Sequence, residues 1–197
     1  MKKLMLPLAL VAAAPLAAQD VELGVFIGQQ TFNSFTVTGT KVEPEKKTVT
    51  GVRFGYSLVD IGPALFQLTA GYQPESKSTF EINGKTVPGA AEFSHKHWSV
   101  GAMFNFKAFV AVGAGVEYRS ESLSSNGVGN PSTTYGRPWG RANIGFAFPT
   151  PFVKPFVGLE VAAPLTSTSV TATSSTEEVL KGNAPKFQVG LYGGIRF

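Results

Sequence analysis

Eight times between Val21 and Phe197 the chain settles into alternation, with apolar side chains at every second position and small or polar ones between. Val21–Phe32 sets Val21, Leu23, Val25 and Ile27 against Glu22, Gly24, Phe26 and Gly28. Thr48–Leu58 opposes Val52, Phe54, Tyr56 and Leu58 to Gly51, Arg53, Gly55 and Ser57, and from Ala64 on Phe66, Leu68, Ala70 and Tyr72 oppose Leu65, Gln67, Thr69 and Gly71. A fourth run ends at Phe106, with Trp98, Val100, Ala102 and Phe104 outward and His97, Ser99, Gly101, Met103 and Asn105 inward. The fifth turns Val110, Val112, Ala114, Val116 and Tyr118 out and Phe109, Gly113, Gly115, Glu117 and Arg119 in. The sixth has Ala142, Ile144, Phe146 and Phe148 against Arg141, Asn143 and Gly145; the seventh, Val157, Leu159 and Val161 against Lys154, Gly158 and Glu160. The last, Phe187–Phe197, has Val189, Leu191, Gly193, Ile195 and Phe197 outward and Gln188, Gly190, Tyr192, Gly194 and Arg196 inward.

Such alternation is what a strand shows with lipid on one side and a polar lumen on the other, and each run has the ~9–11 residues a tilted membrane strand needs. The connections alternate in length. Asn33–Lys47, the segment after Tyr72, Ser120–Gly136 and Thr166–Pro185 are long and polar, whereas Val59–Pro63, the turn at Lys107 and Pro149–Pro151 are short. The pattern predicts an all-β fold, an eight-stranded antiparallel up-and-down transmembrane β-barrel with long loops extracellular and short turns periplasmic. Pro155 requires a strand end or a bulge, because it cannot donate to a ladder. Asn83-Gly84 inside Thr79–Val87 predicts a two-residue hairpin that extends the second long loop as a ribbon. Glu177–Lys181 has room for a single helical turn.

Aromatic residues support the same orientation. Tyr72, Trp98, Tyr118 and Trp139 fall where strands meet long loops, and Phe66, Phe104, Phe106, Phe148 and Phe197 near the short turns, the two belts expected at two interfaces. The alternation Val189, Leu191, Ile195 and Phe197, closing on the aromatic, resembles the C-terminal signature of bacterial outer-membrane barrels. The chain from residue 19 on resembles the small OmpA/OmpX-type barrels of the outer membrane protein β-barrel domain family. That resemblance implies outer-membrane lipid as surroundings, the barrel-assembly machinery as a partner during insertion, and a monomer. It implies no cofactor, and no periplasmic peptidoglycan-binding domain is expected.

The first residues agree with that destination. Lys2 and Lys3 precede the apolar Leu4–Ala14, and the small-residue stretch around Ala17-Ala18 offers cleavage after Ala18, so residues 1–18 read as a signal peptide and 19–197 as the barrel domain. A spanning anchor fits less well, since the apolar run is below ~18 residues and broken by Pro7 and Pro15. Loss of Lys2 and Lys3 takes the formal charge from +4 to +2, too mild to suggest nucleic acid. The absence of cysteine excludes disulfides and thiolate metal sites.

Candidate chemistry is sparse. His97 and Ser99 form an H-x-S pair faintly similar to lipid A deacylase barrels, but the position twelve beyond Ser99 is Ala111 and not an acid. A nucleophilic Ser needs a base and that base an orienting acid, so a lipid-modifying enzyme is the least supported reading. His95 and His97 alone make only the start of a metal site, which would need carboxylates such as Glu92. The informative set is the lumen charges Glu22, Arg53, Glu117, Arg119, Arg141, Lys154, Glu160 and Arg196. An eight-stranded barrel is just wide enough for its side chains to fill, so charges of both signs predict internal pairing and a plugged lumen. Arg141 is expected between Glu117 and Glu160, and Glu22 opposite Arg196. The expected function is that of a structural anchor or surface-interaction protein whose four extracellular loops contact an unspecified ligand. A narrow small-solute channel of the porin or OmpW kind is the alternative.

Overall fold

The computed structural model describes residues 21–197 apart from 38, 87–88, 90, 128, 149, 151 and 168–175. The expected signal peptide and its cleavage point lie outside the described residues. In chain order the elements are β1 (Val21–Phe32), β2 (Phe35–Val37), β3 (Thr40–Pro44), β4 (Lys47–Ile61), β5 (Ala64–Ile82), β6 (Lys85–Thr86), β7 (Glu92–Lys107), β8 (Ala111–Ser125), β9 (Ser132–Ala147), β10 (Lys154–Pro164), α1 (Thr176–Gly182) and β11 (Pro185–Arg196).

Eight of these strands form a closed antiparallel ring, β1-β4-β5-β7-β8-β9-β10-β11, in which each pairs with its neighbours along the chain and β11 returns to β1. The seam runs in register from Glu22↔Arg196 to Thr31↔Phe187, and the Phe197 amide donates to the Val21 carbonyl at 2.9 Å. Closure leaves no ladder edge within the ring, the condition under which a sheet can stand in hydrocarbon. The architecture is an eight-stranded antiparallel up-and-down barrel.

Burial is inverted relative to a water-soluble protein. Val25, Ile27, Val52, Leu68, Trp98, Val100, Val116 and Leu191 stand on the outside, while Glu22, Arg119, Glu117, Arg141 and Glu160 are buried within. Alternation decides which side each takes, because successive strand side chains point to opposite faces. Space inside comes from glycine. Arg53 lies opposite Gly24 and Gly71, Glu117 opposite Gly101, Arg141 opposite Gly115, Glu160 opposite Gly190, and Glu22 opposite Gly55. A Cβ at Gly101 would stand 2.6 Å from the Cβ of Glu117, so these large polar side chains need an empty position across the ladder.

The long connections differ from the sequence expectation. The segments after Tyr72 and after Arg119 are largely strand, with β5 running on to Ile82, β8 to Ser125 and β9 starting at Ser132. Ser120–Gly136 is thus a protruding hairpin and not a loop, since the alternation continues through Glu121 and Leu123. Asn83 and Gly84 both take positive φ, 49° and 76°, and join β5 to β6 with Ile82 paired to Lys85, the expected hairpin. Beyond the barrel β2 and β3 form a second hairpin that pairs with the β5 extension.

At the loop end the interior changes character. Phe32, Phe93, Leu123, Leu180 and Ala184 form a buried apolar cluster, flanked by Phe80 and Tyr135. Leu180 comes from α1, which lies across the mouth. The helix opens with Glu177 and Glu178 and ends with Lys181, charges that suit its two poles. Thr133 holds the helix by donating to Glu177 at 2.8 Å, and Lys181 pairs with the same carboxylate at 2.7 Å, keeping that carboxyl below its ordinary range.

Two expected positions are corrected. Trp139 is fully buried and belongs to the lumen, not to an interfacial belt. It shares the phase of Arg141, two residues on, and so must point inward with it. Phe109, expected inward, stands almost entirely exposed in the turn between β7 and β8, where the alternation has not yet begun.

Candidate functional site: the charged lumen

From the short-turn end to the loop end the lumen is a stack of polar layers. At the bottom the Glu22 carboxylate accepts from Arg196 at 2.5 Å, from Gln67 at 3.2 Å and from the Tyr192 hydroxyl. Asn105 extends this layer by donating to Gln67 at 3.1 Å. Gln67, Asn105 and Asn143 help line a cavity of about 70 Å³ at this end, with Glu22, Arg141 and Arg196 also on its wall.

The middle layer is ionic. Arg53 grips Glu160 with both terminal nitrogens, at 2.5 and 2.9 Å, a bidentate geometry that few other pairs achieve. Arg141 donates to Glu117 at 3.0 Å and stands 3.7 Å from Glu160. Arg119 donates to the other oxygen of Glu117 at 2.6 Å. Three guanidinium groups and two carboxylates therefore form one connected chain across the barrel. All five side chains lie on strands β4, β8, β9 and β10. Lys154, by contrast, is half-buried at the short-turn end of β10 and does not join this chain.

Above it Arg119 turns to the amides and the indole. It donates to Gln188 at 2.8 Å, Gln188 donates to Gln73 at 3.1 Å, and Gln73 donates to Gln30 at 3.1 Å. The guanidinium carbon of Arg119 lies 3.9 Å from the centre of the Trp139 ring. A third ionic layer follows, where Arg137 donates to Glu121 at 2.6 Å and His95 Nε2 approaches the same carboxylate at 3.5 Å. Arg137 also donates to the Pro185 carbonyl at the root of β11, tying the charged interior to the segment that carries α1.

Glu121, Arg137, Gln73, Gln188 and Tyr192 were not singled out from the sequence. The signal was present for the first two, since Glu117-x-Arg119-x-Glu121 and Arg137-x-Trp139-x-Arg141 keep one phase. Reading Ser120–Gly136 as a loop hid it.

His97 and Ser99 are buried and face the lumen. Among the described residues the His97 Nδ1 has no hydrogen-bond partner, and none of their carboxylates is placed to orient its ring. Among the described residues no group of three or more His, Cys, Asp or Glu is placed to hold a metal ion. Of the belt residues, Tyr72 and Trp98 stack across neighbouring strands with ring centres 4.2 Å apart, and Trp98 and Tyr118 are exposed on the outer wall. In the terminal strand Val189 and Leu191 are exposed outward, and Ile195 and Phe197 are half-exposed.

No protein-family model matches the chain, and no curated protein matches it in sequence. Among solved structures it is similar to Ail, the attachment invasion locus protein of Yersinia pestis, at 11% identity and a TM-score of 0.48 over 90% of this chain and 98% of that one. A structure of Ail in complex with the heparin analogue sucrose octasulfate gives the same values.

Proposed function

We propose that this chain is an integral outer-membrane protein that uses a closed barrel as an anchor and its protruding hairpins as a surface for extracellular contact. The observation that carries the reading is the division of the molecule. A lipid-compatible wall surrounds a lumen filled by paired charges, and β2, β3, β6 and the extended ends of β5, β7, β8 and β9 rise from one end only. On this reading residues 1–18 are removed on export, leaving 19–197, and the strand ending at Phe197 is what the assembly machinery engages. The folded protein is a monomer in lipid.

The hairpin end presents polar β-ribbon, with Lys41, Lys46, Lys47, Lys77 and Lys85 interspersed with Glu43, Glu45, Glu81 and Glu92. Mixed charge on exposed strands suits polar partners and backbone pairing. The partner's chemistry stays open on this reading. The cavity at the short-turn end supports a channel as second reading, yet it ends against the Arg141 layer. An enzymatic reading gains nothing from Ser99, whose neighbouring histidine has no orienting acid.

Three measurements test the proposal. The protein should fractionate with outer membranes and change gel mobility on boiling; recovery from the soluble periplasm would refute the membrane placement. Trypsin added to intact cells should cut within Asn33–Lys47 or in the segment 74–92. Cleavage only after the outer membrane is opened would reverse the topology. In planar bilayers the protein should show no stepwise conductance, and regular steps would favour the channel.

A further inference from the structure

Each of the three short turns of the barrel carries, in it or at its edge, an apolar residue that nothing among the described residues covers. Ile61, the last residue of β4 before its turn into β5, is 73% exposed, Phe109 between β7 and β8 is 88% exposed, and Phe152 between β9 and β10 is 87% exposed. Turns in water favour Gly, Asn, Asp and Ser, so three bulky apolar tips on separate turns call for an explanation.

These tips continue the outer wall. Phe109 touches Phe146 with ring centres 6.1 Å apart, and Phe146 meets Phe148 at 5.1 Å, so an aromatic file runs from the wall of β9 to the tip of the neighbouring turn. The Lys107 amide donates to the Pro63 carbonyl at 2.6 Å and its ammonium pairs with Asp60, which ties the Ile61 and Phe109 turns into one rim. The ion pair neutralises the charges closest to those tips. Lys154, two residues beyond Phe152, is half-buried and belongs to the inward phase of β10, so it adds no charge to the outer face of the rim.

Height gives a second, independent argument. From the belt residue Trp98 to Phe106, the last outward position of β7, there are eight residue steps, which at ~3.3 Å each and a tilt of ~40° rise about 20 Å. The apolar band of an outer-membrane barrel is about 25 Å tall. The strands alone therefore fall short by about 5 Å, the reach of a turn bearing a phenylalanine.

We infer that the short-turn rim is immersed in the inner leaflet, with Ile61, Phe109 and Phe152 seated at the boundary between phospholipid acyl chains and headgroups. The inference rests on the membrane reading above, with the short turns periplasmic. Phospholipid fits better than a protein partner because the tips are distributed around the rim and join the lipid-facing wall, whereas a docking site gathers into one patch. The cavity lined by Glu22, Gln67 and Asn105 then opens at the level of the headgroups.

The chain has no cysteine, so single labelling sites are simple to introduce. Spin labels on I61C, F109C and F152C, in protein refolded into phosphatidylethanolamine–phosphatidylglycerol vesicles, should show an oxygen-to-nickel-chelate collision ratio several-fold above that of K85C on the distal hairpin. V116C on the wall reports the membrane reading itself. Gel mobility on heating confirms that each variant is folded. Tips that collide with nickel as K85C does, while V116C is shielded, overturn the inference alone. Nickel access at V116C as well overturns the membrane reading. Shielding in native envelopes but not in purified vesicles assigns the tips to a protein and also overturns it.

Discussion

Arg119 lies over the face of Trp139, its guanidinium carbon 3.9 Å from the ring centre, with both side chains withdrawn from solvent. A cation held against an indole in a desolvated site is worth up to about 2 kcal/mol, and the indole also lies within reach of the Arg137 guanidinium, 5.0 Å from the ring centre. Trp139→Ala should therefore destabilise the folded barrel by about 3–5 kcal/mol, read from urea unfolding in lipid vesicles. Fluorescence separates the two tryptophans. In a Trp98→Phe protein the remaining emission, from Trp139, should resist quenching by brominated lipid, whereas Trp98 in the parent should be quenched strongly.

The lid over the lumen depends on Leu180. It is the apolar contact of α1 with Phe32, Phe93 and Leu123, and a helix of seven residues has little stability of its own. Leu180→Ala should weaken docking by about 2–5 kcal/mol. Hydrogen exchange in 176–185 should accelerate by an order of magnitude or more, while β4, β5 and β8 exchange as before. Equal acceleration throughout the barrel would mean that α1 is integral to the fold and not a lid on it.

How far the sequence disclosed all this depended on periodicity. Every barrel strand is legible because an apolar outer face and a charged interior force strict alternation, and the inward placement of Arg53, Glu117, Arg141 and Glu160 follows from phase alone. The place of Arg141 between Glu117 and Glu160 follows from strand order and phase, whereas the bidentate grip of Arg53 on Glu160, from a strand that is not a neighbour, does not. At Trp139 residue type and phase point in opposite directions: an aromatic near a loop suggests a belt, phase places it inward beside Arg141, and the packing follows phase. Glu121 and Arg137 were hidden because hydroxyl-rich strands such as Ser120–Ser125 resemble loops in composition. The docking of α1 was not legible, since Val179 and Leu180 are too few to announce which surface they cover.

Acid should act on the lid before the barrel. The Glu177 carboxyl is held below its ordinary value by Lys181 and Thr133, so it binds its proton less readily when α1 is docked than when α1 is free. The contribution of these contacts is complete above the ordinary carboxylate range and is lost as pH falls through the lowered value. Exchange at 176–185 should therefore be flat from pH 8 to about pH 5, after correction for intrinsic rates, and rise below about pH 4. Glu177→Gln should remove that step. Because the group is exposed, the change should be small and should fade at high salt.

The middle layer makes the sharpest test, because its members are unequally replaceable. Glu117 serves two cations, Arg119 at 2.6 Å and Arg141 at 3.0 Å, so Glu117→Gln takes the carboxylate from buried Arg119 and leaves buried Arg141 only the longer contact to Glu160 at 3.7 Å. Removing one partner of a buried pair costs about 3–5 kcal/mol. Arg141→Met is different. Glu117 keeps Arg119, Glu160 keeps the bidentate grip of Arg53, and a methionine can fill the space beside Met103, which Arg141 Nε now touches at 3.2 Å. No carboxylate is stranded, so the loss should be well under half that of Glu117→Gln. Coupling between positions 117 and 141, measured by a double-mutant cycle in vesicle unfolding, should be favourable, with the double variant less damaged than the single losses combined. Equal losses at 117 and 141 with no coupling would mean that the lumen charges are solvated separately. The chain of contacts would then not close the barrel, and a water-filled pore would be the better description.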